Sequence, residues 1–305
     1  MSLINTNDFQ VEFTQQSARV KSLDLHPVQP WVLVGLYSGT VQIWNYQSKS
    51  MEKSFEVTSN IPVRSAIFVA QKDWIITGSD DKMIRVYDYK TEEKVKEFTA
   101  HEDYVRDIVV HPSLPYVLTA SDDKQIKLWD WENDWVCTRT FEGHSHYVMQ
   151  VAINPNDHNN FVSVSLDGSI KIWNLDNSNP IQSVAAHDTG VNCVDYYLTS
   201  DNKLYILTGS DDFTTKVWNY ENMNCVEVLK GHTNNVSTTL VHPDLPLIFT
   251  GSEDKTIKIW NAITYKLEKT LDQSLGRVWT LKYDKTSNQI VIGCDEGFLV
   301  GKFEP

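Results

Sequence analysis

The sequence predicts an all-β fold, a seven-bladed β-propeller whose ring is closed by the N-terminal strand pairing into the last blade. One frame recurs along the chain: an apolar residue, a Val seven positions later, an inner strand, a second strand, an acid-rich turn and a third strand. Third strands end in an aromatic residue followed by Asn or Asp, at Trp44-Asn45, Tyr87-Asp88, Trp129-Asp130, Trp173-Asn174, Trp218-Asn219 and Trp260-Asn261. These endings are 43, 42, 44, 45 and 42 residues apart, and 42 residues more reach Lys302-Phe303, a degenerate seventh copy. Such a period is typical of four-stranded propeller blades.

The strands of each blade follow from the frame in order. Inner strands begin at the leading Val, as in residues 20–25, 105–110, 148–153 and 278–283. Second strands come after a bottom turn, as in residues 31–36, 74–77, 116–120 and 247–251. Several bottom turns contain a proline, which ends a strand without wasting a hydrogen-bond donor. The Trp-Asp and Trp-Asn endings resemble those of WD40 repeats, and this resemblance covers essentially the whole chain.

The two ends of the chain predict how the ring closes. Phe13 lies seven residues before Val20, so the N-terminal segment has the pattern of an outer strand that belongs to no blade of its own. The last copy, in contrast, ends near Phe303 without an outer strand. Pairing of these two segments removes two exposed strand edges. We therefore expect residues 1–305 to form one propeller domain, excised from a longer protein.

Composition narrows the classes of partner and site. The net charge of −13 argues against a nucleic-acid ligand, because phosphates require a basic face. The four cysteines are scattered without paired spacing, so we expect neither a disulfide framework nor a zinc site. We expect no cofactor. Without a signal-peptide pattern or an apolar run of about 18 residues, a cytoplasmic protein with no transmembrane segment is predicted.

Four blades repeat a His/Asp pair, formed by His101 with Asp123, His144 with Asp167, His187 with Asp212, and His232 with Asp254. In WD40 repeats such residues join a Ser or Thr and the closing Trp in a buried hydrogen-bond network. Because the pair recurs in four blades, a structural role is favoured over a catalytic one, and an enzyme is not expected.

Function is expected at positions where the blades differ. We define the turn ring as the residue seven before each closing position: Tyr37, Asp80, Asp122, Leu166, Asp211, Glu253 and Asp295. We define the strand ring as the residue after each leading Val: Lys21, Arg64, Arg106, Met149, Asn192, Ser237 and Trp279. Acids dominate the turn ring, whereas three consecutive blades place a cation in the strand ring.

Both rings are expected at one mouth of the channel, with Arg19 and Arg277 beside the cations. One interpretation is that these cations only neutralise Asp80, Asp103 and Asp122. The other is a ligand of opposite polarity, such as a peptide with a free C-terminal carboxylate and lysines shortly upstream. An extended chain advances ~3.3 Å per residue, so lysines three to five positions from the end lie ~10–17 Å from it.

Particular segments resemble the beta-prime subunit family of the coatomer (COPI) coat, at its N-terminal propeller. They include Arg19-Val20-Lys21, Pro62-Val63-Arg64, and the run Leu128-Trp129-Asp130-Trp131-Glu132-Asn133. The resemblance implies a non-catalytic cargo-recognition propeller that binds C-terminal dilysine signals of membrane proteins for Golgi-to-ER transport. It further implies other coatomer subunits as partners, an alpha-type subunit among them, and peripheral attachment to Golgi and COPI vesicle membranes. The family's chain continues into a second propeller and a helical solenoid, so this chain is expected to be an N-terminal fragment.

Carried over position by position, the resemblance assigns roles in the mouth. Arg19, Lys21 and Arg64 would hold the terminal carboxylate, and Arg106 is added from its place in the strand ring. Tyr37 would pack on the peptide. The lysine-binding residues would be Asp103, Asp122 and Asp211, and Asp80 is added from the turn ring.

A different class of function stays open from the residues alone. A scaffold or ubiquitin-ligase adaptor propeller would recognise an internal lysine-containing motif or a methylated lysine. Aromatic residues at the mouth could form a cage for such a cation, namely Tyr37, Tyr104, Tyr147 and Trp279. Only the first hypothesis requires a free C-terminus.

Overall fold

Seven four-stranded antiparallel sheets form the molecule, which confirms the predicted all-β, seven-bladed propeller. This is a computed structural model that describes residues 9–199, 201–272 and 274–303. The two ends of the predicted domain, residues 1–8 and 304–305, lie outside the described residues. Nowhere in the described part does the chain form a helix with the length and apolar character needed to span a bilayer.

Strands β1 to β28 follow one another in chain order. The first is β1 (Phe9–Gln16). Blade 1 contains β2 (Val20–Leu25), β3 (Trp31–Leu36), β4 (Thr40–Asn45) and β5 (Ser50–Glu56). Blade 2 contains β6 (Val63–Val69), β7 (Trp74–Ser79), β8 (Met83–Asp88) and β9 (Lys94–Thr99), with a 3-10 turn at Ala70–Lys72. Blade 3 contains β10 (Val105–Val110), β11 (Tyr116–Ser121), β12 (Ile126–Asp130) and β13 (Val136–Phe141).

The remaining blades repeat the same order. Blade 4 contains β14 (Val148–Ile153), β15 (Asn160–Ser165), β16 (Ser169–Asn174) and β17 (Asn177–Ala185). Blade 5 contains β18 (Val191–Leu198), β19 (Leu204–Ser210), β20 (Thr214–Asn219) and β21 (Cys225–Lys230). Blade 6 contains β22 (Val236–Val241), β23 (Leu247–Ser252), β24 (Thr256–Asn261) and β25 (Leu267–Asp272). Blade 7 contains β26 (Val278–Asp284), β27 (Gln289–Cys294) and β28 (Gly297–Phe303). Several strands extend one or two residues beyond their predicted ends.

Blade 7 is completed by the N-terminal strand. β1 lies antiparallel beside β28, with Gln10 opposite Lys302 and Gln16 opposite Gly297. Phe13 of β1 packs edge-on against Phe298, with ring centroids 5.7 Å apart. The first and last strands of the described chain are therefore held in one sheet.

Every inner strand has a β-bulge directly after its leading Val. The register against the second strand shifts between Val20 and Ser22 in blade 1, and at the corresponding pair in each of the other six blades. A bulge leaves one residue unpaired and turns its side chain away from the regular alternation. Here the unpaired residue is the member of the strand ring in each blade. The leading Val itself is fully buried in all seven blades.

The four His/Asp pairs form the predicted buried networks. In blade 3, His101 Nδ1 lies 2.8 Å from Asp123 Oδ2, and its Nε2 lies 2.7 Å from Thr119 Oγ1. Trp129 Nε1 donates to the same Thr119 hydroxyl at 2.9 Å. Blades 4, 5 and 6 repeat these contacts. Burial lowers the pKa of all four histidines, so they are neutral at physiological pH.

Blade 2 has no such histidine and satisfies its carboxylate differently. Arg85 Nη2 donates to Asp81 Oδ2 at 2.6 Å, and its Nη1 donates to Ser79 Oγ at 3.1 Å. An arginine thus replaces the imidazole, and the partly exposed Asp81 keeps its partners.

Candidate functional site

The strand ring surrounds the mouth of the central channel. All seven members line one cavity of about 400 Å³, together with Arg19, Tyr37 and Glu253. The bulge explains this common placement, because it directs the same residue of each blade into the cavity. The cavity therefore contains the four predicted carboxylate-binding residues, which are Arg19, Lys21, Arg64 and Arg106.

In blades 2, 3, 5 and 7 the strand-ring residue hydrogen-bonds the turn-ring residue. Arg64 binds Asp80 through two bonds, of which Nη2 to Oδ2 measures 2.6 Å. Arg106 binds Asp122 in the same bidentate manner, at 2.5 and 2.6 Å. Blades 5 and 7 keep the arrangement with other donors: Asn192 donates to Asp211 at 2.8 Å, and Trp279 donates to Asp295 at 2.8 Å.

At the seam between blades 7 and 1, one carboxylate receives several donors. Asp295 accepts from Arg19 Nε at 2.8 Å and from Arg277 Nε at 2.9 Å. Burial alone would raise the pKa of Asp295, but the hydrogen bonds from Arg277 and Trp279 lower it to about 2. Arg277 also reaches Glu253 at 3.1 Å. Both guanidinium groups are therefore fixed by anions of the protein.

Arginines and aromatic rings alternate along the same arc. The Arg19 guanidinium lies 5.0 Å from the centre of the Tyr37 ring. Arg64 lies 5.9 Å from Tyr37 and 5.5 Å from Tyr104. Arg106 lies 6.0 Å from Tyr104 and 5.7 Å from Tyr147. Because each guanidinium is held between rings and bonded to a carboxylate, this arc is rigid before any ligand arrives.

Lys21 is the cation of this arc without a carboxylate partner among the described residues. Its Nζ lies 3.4 Å from the centre of the Trp279 ring. Burial, which is the largest cause, and the neighbouring Arg64, Arg19 and Arg106 together lower the pKa of Lys21 to about 7. An anionic ligand would relieve this repulsion.

Two of the predicted acids differ from Asp80 and Asp122, which are bonded to arginines. Asp103 is partly exposed and its carboxylate accepts the backbone N–H of Tyr104 at 2.9 Å. Asp211 is also partly exposed and accepts the Asn192 amide. Neither forms an ion pair with a described residue. By contrast, the Asp122 side chain is only 3% exposed behind Arg106, so a ligand would have to share or displace that arginine.

The charges at the mouth are thus interleaved: cations of the strand ring bond directly to acids of the turn ring. The turn ring and strand ring lie close enough in a blade for a bidentate arginine–carboxylate contact, which is among the strongest polar contacts. The interpretation that the cations neutralise neighbouring acids applies to two pairs, Arg64 with Asp80 and Arg106 with Asp122. Among the charged residues predicted to bind the ligand, Lys21, Asp103 and Asp211 are the ones without an ion pair to a described residue.

The wall below the mouth was not considered at the sequence level. Asp24 accepts the N–H of Phe68 at 2.8 Å, and Asp107 accepts the N–H of Val151 at 3.1 Å. Each bond connects one blade to the next. Burial raises the pKa of Asp107 to about 6. The repeat places these residues two or four positions after the leading Val, a signal that the two rings did not include.

The structure also shows contacts at the mouth that sequence reasoning missed. The only ligand role suggested for Trp279 was in an aromatic cage, yet it contacts Lys21, Arg19 and Arg277 and donates to Asp295. Its position in the strand ring, next to Arg277, was the available signal.

Comparison with known proteins agrees with this architecture. The family model described as "WD domain, G-beta repeat" matches residues 8–45, 51–88, 92–130, 135–174, 178–219 and 223–261. The chain is 50% identical over 301 residues to Coatomer subunit beta' of Rattus norvegicus, covering 98% of this chain and 33% of that protein. It is 58% identical over 291 residues to Coatomer subunit beta'-1 of Arabidopsis thaliana, covering 95% of this chain and 31% of that protein.

The similarity to Coatomer subunit beta' of Drosophila melanogaster is of the same order, at 50% over 301 residues. The chain spans about a third of the length of these relatives. With six matched repeats and a seven-bladed ring, the chain belongs to the WD40 repeat family, and within that family it is a propeller similar to coatomer beta' subunits.

Proposed function

We propose that the chain is a cargo-recognition propeller of a COPI-type coat that binds C-terminal dilysine signals of membrane proteins. One observation carries the proposal: within the described part of the chain, Lys21 has no carboxylate partner, and Asp103 and Asp211 have no cationic partner. A peptide that ends in a carboxylate and has lysines shortly upstream offers the complementary charges.

In this proposal the terminal carboxylate binds at Lys21, supported by Arg19, Arg64 and Arg106. Arg19, Arg64 and Arg106 line the cavity, and Asp295, Asp80 and Asp122 use only part of their guanidinium donors. Charge-assisted hydrogen bonds to a carboxylate are strong, and a rigid arc loses little entropy on binding. Tyr37 lies at the rim, 40% exposed, where the peptide backbone can pack against its ring.

The lysines of the signal would bind the acids beyond this arc. Asp103, with Asp122 behind it, would accept the first ammonium, and Asp211 two blades further would accept the second. Asp80 would contribute by orienting Arg64. The small contact area predicts weak, reversible binding, and many coat subunits acting together would supply the membrane affinity.

The coat context extends this proposal beyond the propeller. Similarity to coatomer beta' subunits supports other coatomer subunits as partners, an alpha-type subunit among them. It likewise supports peripheral attachment to Golgi and COPI vesicle membranes from the cytoplasm. Residues 1–305 would be the N-terminal propeller domain of such a subunit.

No observation favours the alternative of a scaffold or ubiquitin-ligase adaptor that recognises a methylated lysine. The faces of Tyr37, Tyr104 and Trp279 are already occupied by cations of the protein itself. Little aromatic surface is left for the cage that this alternative requires.

Amidation of the ligand tests the proposal. A synthetic dilysine peptide with a free C-terminus should bind more tightly than its C-terminal amide by about 1–3 kcal/mol, because the amide removes the charge that Lys21 requires. Isothermal titration calorimetry of both forms measures the difference. Equal affinities would refute the carboxylate site and favour recognition of an internal motif.

Substitution of an unpaired acid tests the other end of the ligand. Asp103→Asn should weaken binding of the dilysine peptide by about 1 kcal/mol or more, because an ammonium would lose its charged partner. Asp188→Asn, an exposed acid on the top loop of blade 5, is the matched control and should change little. The assignment of Asp103 would be withdrawn if both variants bound equally well.

A further inference from the structure

Lys21 has a chemical property that its role as a charge does not use, because an uncharged amine is a nucleophile. Burial is the largest cause of its lowered pKa, which is about 7. The neighbouring guanidinium groups of Arg64, Arg19 and Arg106 act in the same direction, and the Glu253 carboxylate has a smaller opposing effect. At pH 7 about half of the Lys21 side chains are free amines, against roughly one in three thousand for a lysine with the ordinary pKa of 10.5.

The Lys21 amine is also placed where a small electrophile can reach it. The residue is partly exposed and lines the cavity of about 400 Å³ at the mouth of the channel. Its Nζ lies 3.4 Å from the centre of the Trp279 ring, which covers one side of the amine. No carboxylate of the described chain forms an ion pair with Lys21. A lysine that is desolvated beside other cations in this way is a typical reactive lysine.

The surroundings of Lys21 are suited to hold an anionic product. The Arg19 guanidinium lies 5.3 Å from the centre of the same indole ring, and only its Nε donates to Asp295. Arg64 and Arg106 line the cavity as well. An anion formed on the Lys21 nitrogen would therefore lie among guanidinium groups, which bind planar anions with two oxygens particularly well.

We propose that the Lys21 amine reacts reversibly with dissolved carbon dioxide to form a carbamate, which the arginines of the mouth stabilise. The nitrogen lone pair forms a bond to the carbon of carbon dioxide, and the electron pair of one C=O bond moves onto its oxygen. The nitrogen then releases one proton to the solvent. A neutral amine and carbon dioxide thus become an anionic carbamate and a proton. This modification does not rest on the proposed function.

Carbon dioxide matches this site better than an acyl donor does. Acetylation would convert the amine into a neutral amide, which removes a positive charge without supplying an anion to the guanidinium groups. A carbamate instead adds only three atoms and carries a negative charge on two oxygens in a plane. It therefore supplies the anion that the cluster of one lysine and three arginines lacks.

Lys282 provides an internal comparison, because it lines the same cavity and is exposed. Its charge interacts with three carboxyl groups of the channel wall, those of Asp24, Asp107 and Asp195. Carboxylates repel an anionic carbamate, whereas arginines attract it. We therefore expect carbon dioxide to modify Lys21 and to leave Lys282 largely unmodified.

Chemical trapping tests the proposal on the wild-type protein. The chain is equilibrated with isotope-labelled carbon dioxide and bicarbonate at about pH 7 and treated with triethyloxonium tetrafluoroborate, which converts a carbamate into a stable ethyl ester. Peptide mass spectrometry then locates the label. The label on Lys21 should exceed that on Lys282 by about tenfold or more, because Lys21 is largely a free amine and its carbamate lies among arginines. Equal labelling of the two lysines, or no label on Lys21, would overturn the proposal.

Two conservative substitutions assign the carbamate signal that NMR spectroscopy detects with the labelled carbon. Lys21→Arg keeps the positive charge but removes the amine, so the signal should fall to the background of the surface lysines. Lys282→Arg is the matched control and should leave the signal unchanged. A signal that persists in folded Lys21→Arg would contradict the assignment. Should Lys21→Arg fail to fold, the labelled positions in the wild-type protein decide alone.

The consequence for ligand binding is separate, and it rests on the proposed function. A carbamate on Lys21 places a negative charge where the carboxylate of a dilysine peptide is proposed to bind. Carbon dioxide at constant pH and ionic strength should therefore weaken peptide binding to the wild type, and the two affinities should be equal in Lys21→Arg. If Lys21 is labelled but the affinity does not change, the carbamate is supported and the proposed carboxylate site fails.

Discussion

At the scale of single residues, Lys21 determines the charge of the mouth. The arginines around it are bonded to Asp80, Asp122, Asp295 or Glu253, whereas Lys21 contacts the Trp279 ring. A lysine with three arginine neighbours is a costly arrangement unless an anion is bound. A bound carboxylate would reduce the free energy cost of placing this lysine beside three arginines, which favours binding there.

This environment predicts that peptide binding takes up a proton. The pKa of Lys21 is about 7 in the folded chain, against 10.5 for an exposed lysine, mainly because of burial. A bound carboxylate favours the ammonium and raises that pKa. Affinity should therefore be constant below pH 7 and fall by up to about tenfold per pH unit above it.

Calorimetry at pH 8 in buffers of different ionisation enthalpy measures this uptake. The wild-type protein should take up close to one proton from the buffer, and Lys21→Arg should take up almost none because arginine stays charged. A binding enthalpy that did not depend on the buffer would contradict this role of Lys21.

The lowered pKa of Lys21 also affects folding stability. Stability rises with pH, whereas the affinity for the peptide falls. Between pH 7 and 10.5 the unfolded chain holds a proton on Lys21 that the folded chain has released. The contribution of Lys21 therefore increases the free energy of unfolding as the pH rises from 7 to 10.5. Below pH 7 Lys21 has its full destabilising effect.

At the scale of elements, the bulge in each inner strand places the side chains of the candidate site. A regular strand would alternate its side chains between two faces, so the residue after the buried Val would pair with β3, β7 and their equivalents. The bulge frees that residue in all seven blades and directs it into the channel. One local irregularity, repeated, therefore creates a ring of seven variable positions on an invariant frame.

Ring closure depends on the contact between β1 and β28. Gly297 has a φ of 138°, and a Cβ there would lie 2.0 Å from the carbonyl oxygen of Gln15. We predict that Gly297→Ala separates the two strands and lowers the free energy of unfolding by about 2–4 kcal/mol, combining backbone strain with lost packing around Phe13.

Thermal or urea unfolding measures this loss. Gly231→Ala is the control, because its Cβ would meet only the outer ends of the Trp260 and Lys258 side chains at 3.2 Å or more. If both variants unfolded at the same midpoint as the wild type, closure by β1 would contribute little to stability.

At the scale of the whole molecule, a protein of net charge −13 places Lys21, which has no ion pair to a described residue, at one mouth of its channel. The closed ring brings side chains from all seven blades to one cavity, although they are separated by more than 250 residues between Lys21 and Trp279. The acids at the rim lie within reach of a short peptide because the blades are arranged in a circle.

Recognition by charge at a partly open mouth predicts sensitivity to salt. Raising sodium chloride from about 50 mM to about 500 mM should weaken binding of the dilysine peptide by roughly a few fold, because the Debye length falls well below 10 Å. Fluorescence anisotropy with a labelled peptide measures this effect, with the thermal midpoint followed in parallel as a control for folding. Affinity independent of salt would instead indicate recognition through apolar contacts.

Much of the fold could be predicted because the same strand pattern recurs in each blade. The closing pairs gave the number of blades, and the spacing of Phe13 and Val20 predicted an outer strand at the N-terminus. The candidate site was located for the same reason: aligned blades show where Lys21, Arg64 and Arg106 depart from the frame. The ligand roles assigned to Arg19, Lys21, Tyr37, Arg64, Asp80, Asp103, Arg106, Asp122 and Asp211 stay predictions.

Sequence alone determined the seven-bladed ring, the buried His/Asp networks and the positions that vary among blades, since all of these follow from local periodicity. Only the tertiary structure decided which charges neutralise each other. Arg64 and Asp80 are 16 positions apart, but the bulge and the turn bring them into bidentate contact, and Asp295 bonds Arg19 from the other end of the chain. Which charges pair depends on distances of a few ångströms between side chains, and these distances cannot be read from the periodicity of the sequence.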